Sequence, residues 1–258
     1  MTKQTILITG ASDGIGAVYA DRFAGRGANL ILVARRADKL EALAARLRAD
    51  HGVDVATIAA DLANPDDLAR VEARLRDDAA ITGLVNNAGI AGETSFAEAD
   101  AAHLTGMIAL NILAVTRLSA AVAPRFAASG AGAIVNITSV TALMPDGFTA
   151  VYPASKAYVL AFTEALQAEL GARGVRVQAV LPGITRTPIW DAAQLAGIPA
   201  AMVMEVTDMV DAALAGFDAG EVVTIPALPD MAAYDAYVAA RAALRPNLSL
   251  ARPAPRYL

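Results

Sequence analysis

Short apolar segments alternate with longer segments of helical periodicity from Thr5 to about Val180. In the longer segments apolar residues recur every three or four positions, which is typical of helices packed on one side. The short segments are apolar at successive positions and predict strands buried on both faces, at Thr5–Ile8, Asn29–Val33, Val53–Ala59, Leu84–Val85, Ala133–Ile137 and Val175–Leu181. Helices are predicted between them at Gly14–Arg26, at Ala37–Ala49, from Pro65 behind an Asn64 N-cap, at Leu104–Ala128 and at Val151–Gly171.

This alternation predicts an α/β fold, a single doubly wound parallel-sheet (Rossmann) domain over residues 1–258. Ligands of such a sheet bind beyond the carboxyl ends of its strands. The pattern is less regular in residues 188–258, which we expect to form a variable region of substrate loops and C-terminal elements. It predicts helices at 191–197, 204–217 and 229–244, a strand at 222–225 and a proline-containing arm at 245–258.

Composition narrows the class of function. Hydrophobic residues make up 56% of the 258 positions and charged residues 18%, so the chain has enough apolar side chains for a large core. A net charge of −5 argues against a nucleic-acid partner. The chain has no cysteine and two histidines, so we expect no disulfide, no thiol chemistry and no metal site. No long uninterrupted apolar run or leader pattern is found, so we expect a cytoplasmic protein without a membrane partner.

A glycine-rich turn follows the first predicted strand and precedes the first predicted helix. Glycine lets the backbone approach a pyrophosphate closely, and the helix N-terminus offers free N–H groups to the phosphates. The spacing is Gly-x3-Gly-x-Gly, so a turn without a ligand remains the alternative at this point. The candidate cofactor residues of the turn are Gly10, Ser12, Asp13, Gly14, Ile15 and Gly16.

Two arginines, Arg35 and Arg36, follow the second predicted strand. An acidic residue here would accept hydrogen bonds from the ribose 2′-hydroxyl of NAD, whereas a guanidinium suits a 2′-phosphate. The residues therefore favour NADP (NADPH) as cofactor. The alternative is a solvated start of the second helix.

Ser139, Tyr152 and Lys156 form a candidate catalytic group around the fifth predicted strand and the helix that follows it. Tyr152 and Lys156 are four residues apart, so they share one helix face. We expect the lysine cation to lower the pKa of the phenol, which would make Tyr152 a usable acid or base. Ser139 could then polarise a substrate carbonyl. A Tyr-x3-Lys alone is more often only part of a helix surface, and the glycine turn is what favours the catalytic interpretation.

Several of these motifs occur together in the order found in one family. The chain resembles the short-chain dehydrogenase/reductase (SDR) family from about Thr5 to Thr187. The residues that carry the resemblance are the Gly10–Gly16 turn, Asn86-Asn87-Ala88-Gly89, Asn111, Ser139, Tyr152-Pro153-Ala154-Ser155-Lys156 and Pro182-Gly183-x3-Thr187.

The resemblance implies hydride transfer between a nicotinamide and a carbonyl or alcohol carbon, with Tyr152 as proton donor or acceptor. It implies that Lys156 holds the nicotinamide ribose and that Asn111 anchors a water in a proton relay. Further cofactor contacts are implied for Asp61, Leu62, Asn87, Ala88, Gly89, Pro182, Gly183 and Thr187. Asp61 could equally belong only to a turn before Asn64. A homodimer or homotetramer is also implied.

The substrate pocket is expected in three loops, residues 90–93, 140–148 and 184–198. Met144, Phe148, Ile189 and Trp190 in these loops predict apolar walls, which suit a ketone, an aldehyde or a secondary alcohol with apolar substituents. A protein that binds NADP and catalyses nothing is the alternative from another class. Retention of Ser139, Tyr152 and Lys156 together favours the enzyme, because a sensor needs only the nucleotide site.

Overall fold

Alternating strands and helices build the chain up to Pro226 in a computed structural model that describes residues 4–92, 95–146, 149–190 and 192–257. The strands are β1 (Thr5–Thr9), β2 (Asn29–Ala34), β3 (Val55–Ala59), β4 (Ile81–Asn86), β5 (Ala133–Ile137), β6 (Arg176–Val180), β7 (Thr185–Arg186), β8 (Met204–Glu205) and β9 (Val223–Thr224). The helices are α1 (Gly14–Gly25), α2 (Ala37–His51), α3 (Pro65–Asp77), α4 (Ala101–Ile108), α5 (Val115–Ser129), α6 (Val151–Leu170), α7 (Ala192–Ala196) and α8 (Val206–Ala219).

Seven of these strands form a parallel sheet in the order β3-β2-β1-β4-β5-β6-β9. The chain starts in the middle of the sheet, builds one half outward to β3, and then returns to build the other half from β4. A crevice opens where the strand order reverses, between β1 and β4 at their carboxyl ends. The predicted Rossmann-like fold class is confirmed.

Helices cover both faces of the sheet because successive strand residues point to opposite sides. On β1, Ile6 and Ile8 belong to the core under α1, α2 and α8, whereas Leu7 belongs to the core under α3, α5 and α6. All three side chains are buried. Both faces of β1 are therefore buried, which explains its uninterrupted apolar run. The expectation is wrong for β3, which lies at the edge of the sheet and has Ala56 and Ala59 exposed.

The long helix predicted at Leu104–Ala128 is interrupted in the structure. Helix α4 is followed by a π-helical segment, Ala109–Ala114, before the chain continues as α5. Such wide turns are found mostly at functional sites, and this one contains Asn111. The whole stretch Ala101–Ser129 is long and apolar enough to cross a membrane by length and composition, a test that core helices of soluble proteins also pass.

A second, small sheet was not predicted. Strand β7 pairs in parallel with β8 through Thr185–Met204 and Arg186–Glu205. The sequence pattern assigned Met204 and Glu205 to the following helix, which begins instead at Val206. A two-residue strand has no periodicity of its own, so only the tertiary pairing reveals it. The predicted start of the helix at 191–197 includes Asp191, which lies outside the described residues; helix α7 is Ala192–Ala196.

Contacts divide the chain after Pro226, and the second unit begins at Ala227. It contains helix α9 (Ala232–Ala243), shorter at its start than the helix predicted at 229–244. The predicted arm holds two single 3-10 turns, Arg245–Asn247 and Pro255–Tyr257.

Candidate active site

A cleft of about 750 Å³ lies at the carboxyl ends of the central strands. Gly10 follows β1, Ala34 ends β2, and Asn87, Thr138 and Pro182 follow β4, β5 and β6 or lie just beyond them; all five line the cleft. The predicted site residues on its walls are Gly10, Ser12, Asp13, Gly14, Ile15, Arg35, Arg36, Asp61, Leu62, Asn87, Ala88, Gly89, Ser139, Tyr152, Lys156, Pro182, Gly183 and Thr187.

Gly16 and Asn111 are the two predicted site residues that do not line this cleft. Gly16 contributes to the site by having no side chain, because a Cβ there would overlap the carbonyl oxygen of Gly10 and lie 2.6 Å from the Nδ2 of Asn87. Gly10 has a φ of +64°, and a Cβ on it would lie 2.7 Å from the same Nδ2. Only glycine fits either position, and the turn packs against the first turn of α1 without any side chain between them.

Asn87 and Thr9 hold this glycine turn in place. The Nδ2 of Asn87 donates to the carbonyls of Thr9 (2.9 Å) and Gly10 (3.1 Å). In return, the Thr9 hydroxyl oxygen accepts the amides of Asn87 (2.9 Å) and Ala88 (3.0 Å). The resemblance implied a cofactor contact for Asn87, and the sequence analysis assigned no role to Thr9. Thr9 ends β1 and Asn87 follows β4, so their hydrogen bonds form a latch between the ends of these two strands. The sequence alone does not show that the two strands are neighbours.

Basic side chains lie at one end of the cleft, beyond β2. Arg36 donates to the Ser12 hydroxyl (2.9 Å) and pairs with the carboxylate of Asp13, whose Oδ2 is also 3.6 Å from the Nζ of Lys39. Arg35 is exposed and makes no hydrogen bond or ion pair with another described residue. One guanidinium therefore stabilises the turn, and the other is free to meet a ligand phosphate.

Asp61 satisfies both interpretations that the sequence left open. Its Oδ1 accepts the amide of Ala63 at 3.0 Å, as a turn residue would, and the residue also lines the cleft beside Leu62. Asn64 accepts the amides of Asp66 and Asp67, which confirms the predicted cap of α3.

Ser139, Tyr152 and Lys156 meet at the other end of the cleft. The Thr138 hydroxyl donates to the carbonyl of Lys156 at 2.7 Å, which ties the first turns of α6 to the end of β5. The Nζ of Lys156 donates to the carbonyl of Ile137 at 3.1 Å and lies 5.7 Å from the centre of the Tyr152 ring. The predicted catalytic residues are thus brought together by two elements that are hydrogen-bonded to each other.

The electrostatics of this group differ from the sequence prediction. Burial raises the pKa of Tyr152 above its ordinary value of 10.0, and the side-chain interaction with Ser139 acts in the opposite direction. Burial lowers the pKa of Lys156 from 10.5 to about 8. The predicted lowering of the tyrosine pKa is therefore wrong for this structure, because desolvation of the phenol outweighs the neighbouring groups. At neutral pH Tyr152 holds its proton.

The side chain of Asn111 is fully engaged in structural bonds. Its Oδ1 accepts the amide of Ile90 (3.0 Å), and its Nδ2 donates to the carbonyl of Ile90 (2.9 Å) and to Ser155 Oγ (3.1 Å). Ser155 in turn donates to the carbonyl of Tyr152 at 2.7 Å. A Cβ on Gly89 would lie 3.2 Å from Asn111 Oδ1 and 3.4 Å from Lys156 Nζ. Asn111 therefore sits directly behind the catalytic group, and Ser155 is a link that the sequence analysis did not single out.

The predicted apolar walls are found in part. Ile189 and Trp190 line the cleft, together with Ile198. Met144 does not line it and is 65% exposed, so its predicted role is wrong. It lies on a loop after the 3-10 turn Val140–Ala142. Phe148 and Glu93, which fall within the predicted pocket loops, lie outside the described residues.

Comparisons with known proteins agree with this geometry. The profile described as short chain dehydrogenase matches residues 4–196. A solved short-chain dehydrogenase from Sphingobium yanoikuyae in complex with NADPH is 52% identical, with a TM-score of 0.96 over 99% of this chain and 100% of that one. The bulky-bulky ketone specific alcohol dehydrogenase from Comamonas testosteroni is 45% identical, with a TM-score of 0.93 over all of both chains.

Curated relatives match more distantly. The very-long-chain 3-oxoacyl-CoA reductase-A of Danio rerio is 35% identical over 187 residues, which is 70% of this chain and 58% of that protein. The bovine (Bos taurus) very-long-chain 3-oxoacyl-CoA reductase is 33% identical over 196 residues, 72% of this chain and 62% of that protein. The chain thus spans about six-tenths of the length of these relatives.

A Rossmann-like sheet with a glycine cradle and a Ser–Tyr–Lys group at its carboxyl edge defines a dinucleotide-dependent oxidoreductase. With its profile match over most of the sequence, the chain belongs to the short-chain dehydrogenase family.

Proposed function

We propose that the protein is an NADPH-dependent carbonyl reductase, transferring a hydride between the nicotinamide and a ketone, an aldehyde or, in reverse, a secondary alcohol. The single observation that carries the proposal is the meeting of Ser139, Tyr152 and Lys156 with the glycine turn in one cleft. A nucleotide sensor would need only one end of that cleft.

The chain's own residues fit this cofactor. Gly10 and Gly16 leave the turn without side chains, so the first amides of α1 can face a pyrophosphate. Arg35 offers a guanidinium that pairs with no other described residue at the position where a 2′-phosphate would reach, which favours NADPH over NADH. Asp61 and Leu62 would line the adenine end, whereas Pro182, Gly183 and Thr187 would flank the nicotinamide. The NADPH complex of the 52%-identical Sphingobium yanoikuyae relative supports this assignment.

Bound NADPH supplies the hydride. Tyr152 holds the proton that the carbonyl oxygen needs, because burial raises the pKa of the phenol and keeps it protonated at neutral pH. The Ser139 hydroxyl oxygen accepts the amide of Thr141 at 3.2 Å, and the same hydroxyl interacts with the Tyr152 side chain, so the two hydroxyl groups are placed to face one substrate oxygen. Lys156 places a buried ammonium behind the phenol and stabilises the negative charge that develops there.

Ketones with apolar substituents are the substrate class that we propose. Ile189, Trp190 and Ile198 give the cleft apolar walls near its catalytic end. The name of the 45%-identical Comamonas testosteroni enzyme, which specifies bulky-bulky ketones, points in the same direction. The curated relatives are named as reductases of very-long-chain 3-oxoacyl-CoA, which is also a ketone.

The test is oxidation of NADPH, followed at 340 nm, with the purified full chain and a panel of aryl alkyl ketones, aldehydes and a 3-oxoacyl-CoA. We expect reduction of ketones with NADPH preferred over NADH. If NADPH binds tightly but no carbonyl compound is reduced, the non-catalytic nucleotide-binding alternative is correct.

A further inference from the structure

A second cavity of about 480 Å³ opens beside the active-site cleft. Three residues line both cavities, namely Ala91, Gly92 and Thr149. The Thr149 hydroxyl donates to the Gly92 carbonyl at 2.9 Å, so this shared wall is hydrogen-bonded across the junction. The second cavity, which we call the side chamber, therefore shares one wall with the cleft.

The inner surface of the side chamber is largely apolar. Among the described residues, Phe96, Leu104, Met107 and Val151 contribute to its walls. Its acidic residues are occupied locally. Asp100 accepts the amides of Ala102 and His103 at 3.3 Å each, and Glu98 accepts the Ser95 hydroxyl at 3.1 Å. What the chamber offers a ligand is hydrophobic contact.

The side chamber lies next to the catalytic tyrosine along the chain. Thr149, Ala150 and Val151 line it and are followed immediately by Tyr152, which lines the cleft. A carbonyl carbon held at Tyr152 carries two substituents. The cleft offers one of them the side chains of Ile189 and Trp190, and the side chamber, which shares Gly92 with the cleft, is the neighbouring space for the other.

We propose that the side chamber binds the second substituent of the ketone substrate, and that Gly92 determines how large this substituent can be. The proposal rests on the proposed carbonyl reduction and adds to it a subsite with named residues. The ligand class is a linear alkyl group attached directly to the carbonyl carbon.

A substitution at Gly92 tests the role of the side chamber most directly, because of the atoms that surround this residue. A Cβ there would lie 3.0 Å from the Cε of Met107 and 3.2 Å from the Nε2 of His103. Both contacts are closer than ordinary van der Waals contact, and Met107 is only 1% exposed and has little room to retreat. One added methyl group therefore takes up space in the side chamber at the wall that it shares with the cleft.

The experiment compares Gly92→Ala with the wild type, using NADPH and two ketones that differ in one substituent, acetophenone and hexanophenone. We expect the ratio of kcat/KM for hexanophenone to that for acetophenone to fall at least about tenfold in Gly92→Ala, because several methylene groups lose their apolar contacts. Gly106→Ala is the matched control: it lies in α4, lines neither cavity, and a Cβ there meets no atom within 4 Å. Its ratio should stay within about twofold of the wild type, as additivity of distant sites predicts.

Ala99→Phe fills the chamber from the loop before α4 and should change the ratio in the same direction, which keeps the proposal testable if Gly92→Ala does not fold. A ratio that is unchanged in the folded variant overturns the side-chamber proposal while leaving carbonyl reduction intact. If the wild type reduces neither ketone, the proposed function fails instead. Quenching of Trp190, the single tryptophan and a cleft residue, then reports binding of hexanophenone: weaker binding in the variant supports the chamber, and equal binding overturns it.

Discussion

The Nδ2 of Asn111 donates a hydrogen bond to the Oγ of Ser155 over 3.1 Å, and this Oγ in turn donates a hydrogen bond to the carbonyl of Tyr152 over 2.7 Å. Ser155 is fully buried. The π-helical segment that carries Asn111 and the first turn of α6 are thus joined behind the catalytic tyrosine. Ser155 is a positioning residue: it does not line the cleft, but it fixes the backbone of Tyr152, which does.

Ser155→Ala should therefore lower kcat about tenfold, since small displacements of a catalytic group are costly, and should cost about 1 kcal/mol of stability. Ser119→Ala is a closely matched control. Ser119 is also fully buried, and its Oγ accepts a hydrogen bond from Asn86, 3.1 Å away, which keeps a second partner in Asn136. Urea unfolding and steady-state kinetics of both variants separate the effects. An equal loss of kcat in the two variants would show that Ser155 has only a general structural role.

We expect burial of the Lys156 ammonium to make the protein less stable at neutral pH than it would be with an apolar residue there. Burial lowers the pKa of Lys156 from 10.5 to about 8, so below pH 8 the folded protein must keep a buried ammonium. The unfolded chain binds this proton more tightly, and stability therefore rises as the pH increases between these two pKa values. The difference corresponds to about 3 kcal/mol.

Lys156→Met should accordingly increase the free energy of unfolding at pH 7 by up to about 3 kcal/mol, while reducing turnover. The gain should shrink at pH 9.5, where the wild-type lysine has lost its charge. Urea titrations of both proteins without cofactor at the two pH values measure this change. Lys39→Met, at an exposed lysine, is the control for the same exchange of side chains. A gain that is the same at both pH values would contradict the account.

Arg35 should determine the preference for NADPH. It is exposed at the cleft and makes no hydrogen bond or ion pair with another described residue, so Arg35→Ser removes a ligand contact without breaking a structural one. We expect the KM for NADPH to rise about tenfold or more and the KM for NADH to change little, because only NADPH carries the 2′-phosphate. Arg46→Ser is the control, because Arg46 pairs with Asp21 and Asp50 on the surface. A parallel rise of both KM values in Arg35→Ser would place the phosphate elsewhere.

Gly16 should tolerate no side chain. In Gly16→Ala the methyl group overlaps the Gly10 carbonyl and lies 2.6 Å from the Nδ2 of Asn87, both of which hold the turn. We expect a loss of about 2 kcal/mol in stability and a strong rise in the Kd of NADPH. Gly25→Ala, at the other end of α1, brings a Cβ no closer than 3.7 Å to His51 and is the matched control. Thermal unfolding with and without NADPH distinguishes the two variants, and equal behaviour would remove the steric argument.

The sheet and both ends of the cleft could be predicted from sequence because each depends on local signals. Apolar runs marked the strands, Asn64 and Pro65 marked a helix start, and the glycine turn and Tyr-x3-Lys marked the two ends of the site. The order of the strands within the sheet was not predicted and comes from the structure.

What could not be predicted depends on distances between remote residues. The latch between Thr9 and Asn87 spans 78 positions, and the bond between Asn111 and Ser155 spans 44. The direction of the Tyr152 pKa shift also needed the structure, because it depends on how much protein surrounds the phenol. Met144 was assigned to the pocket by its loop alone, and a loop does not fix the direction of a side chain.

The claim on which the rest depends is that the Tyr152 hydroxyl delivers the proton during hydride transfer. Stopped-flow oxidation of NADPH in a single turnover with a saturating aryl alkyl ketone tests it in the wild type and in Tyr152→Phe, which removes only the hydroxyl. The account predicts a rate at least about 100-fold lower in Tyr152→Phe, with the Kd of NADPH within about twofold of the wild type, since the rest of the cleft is unchanged. A variant that oxidises NADPH at the wild-type rate would contradict it.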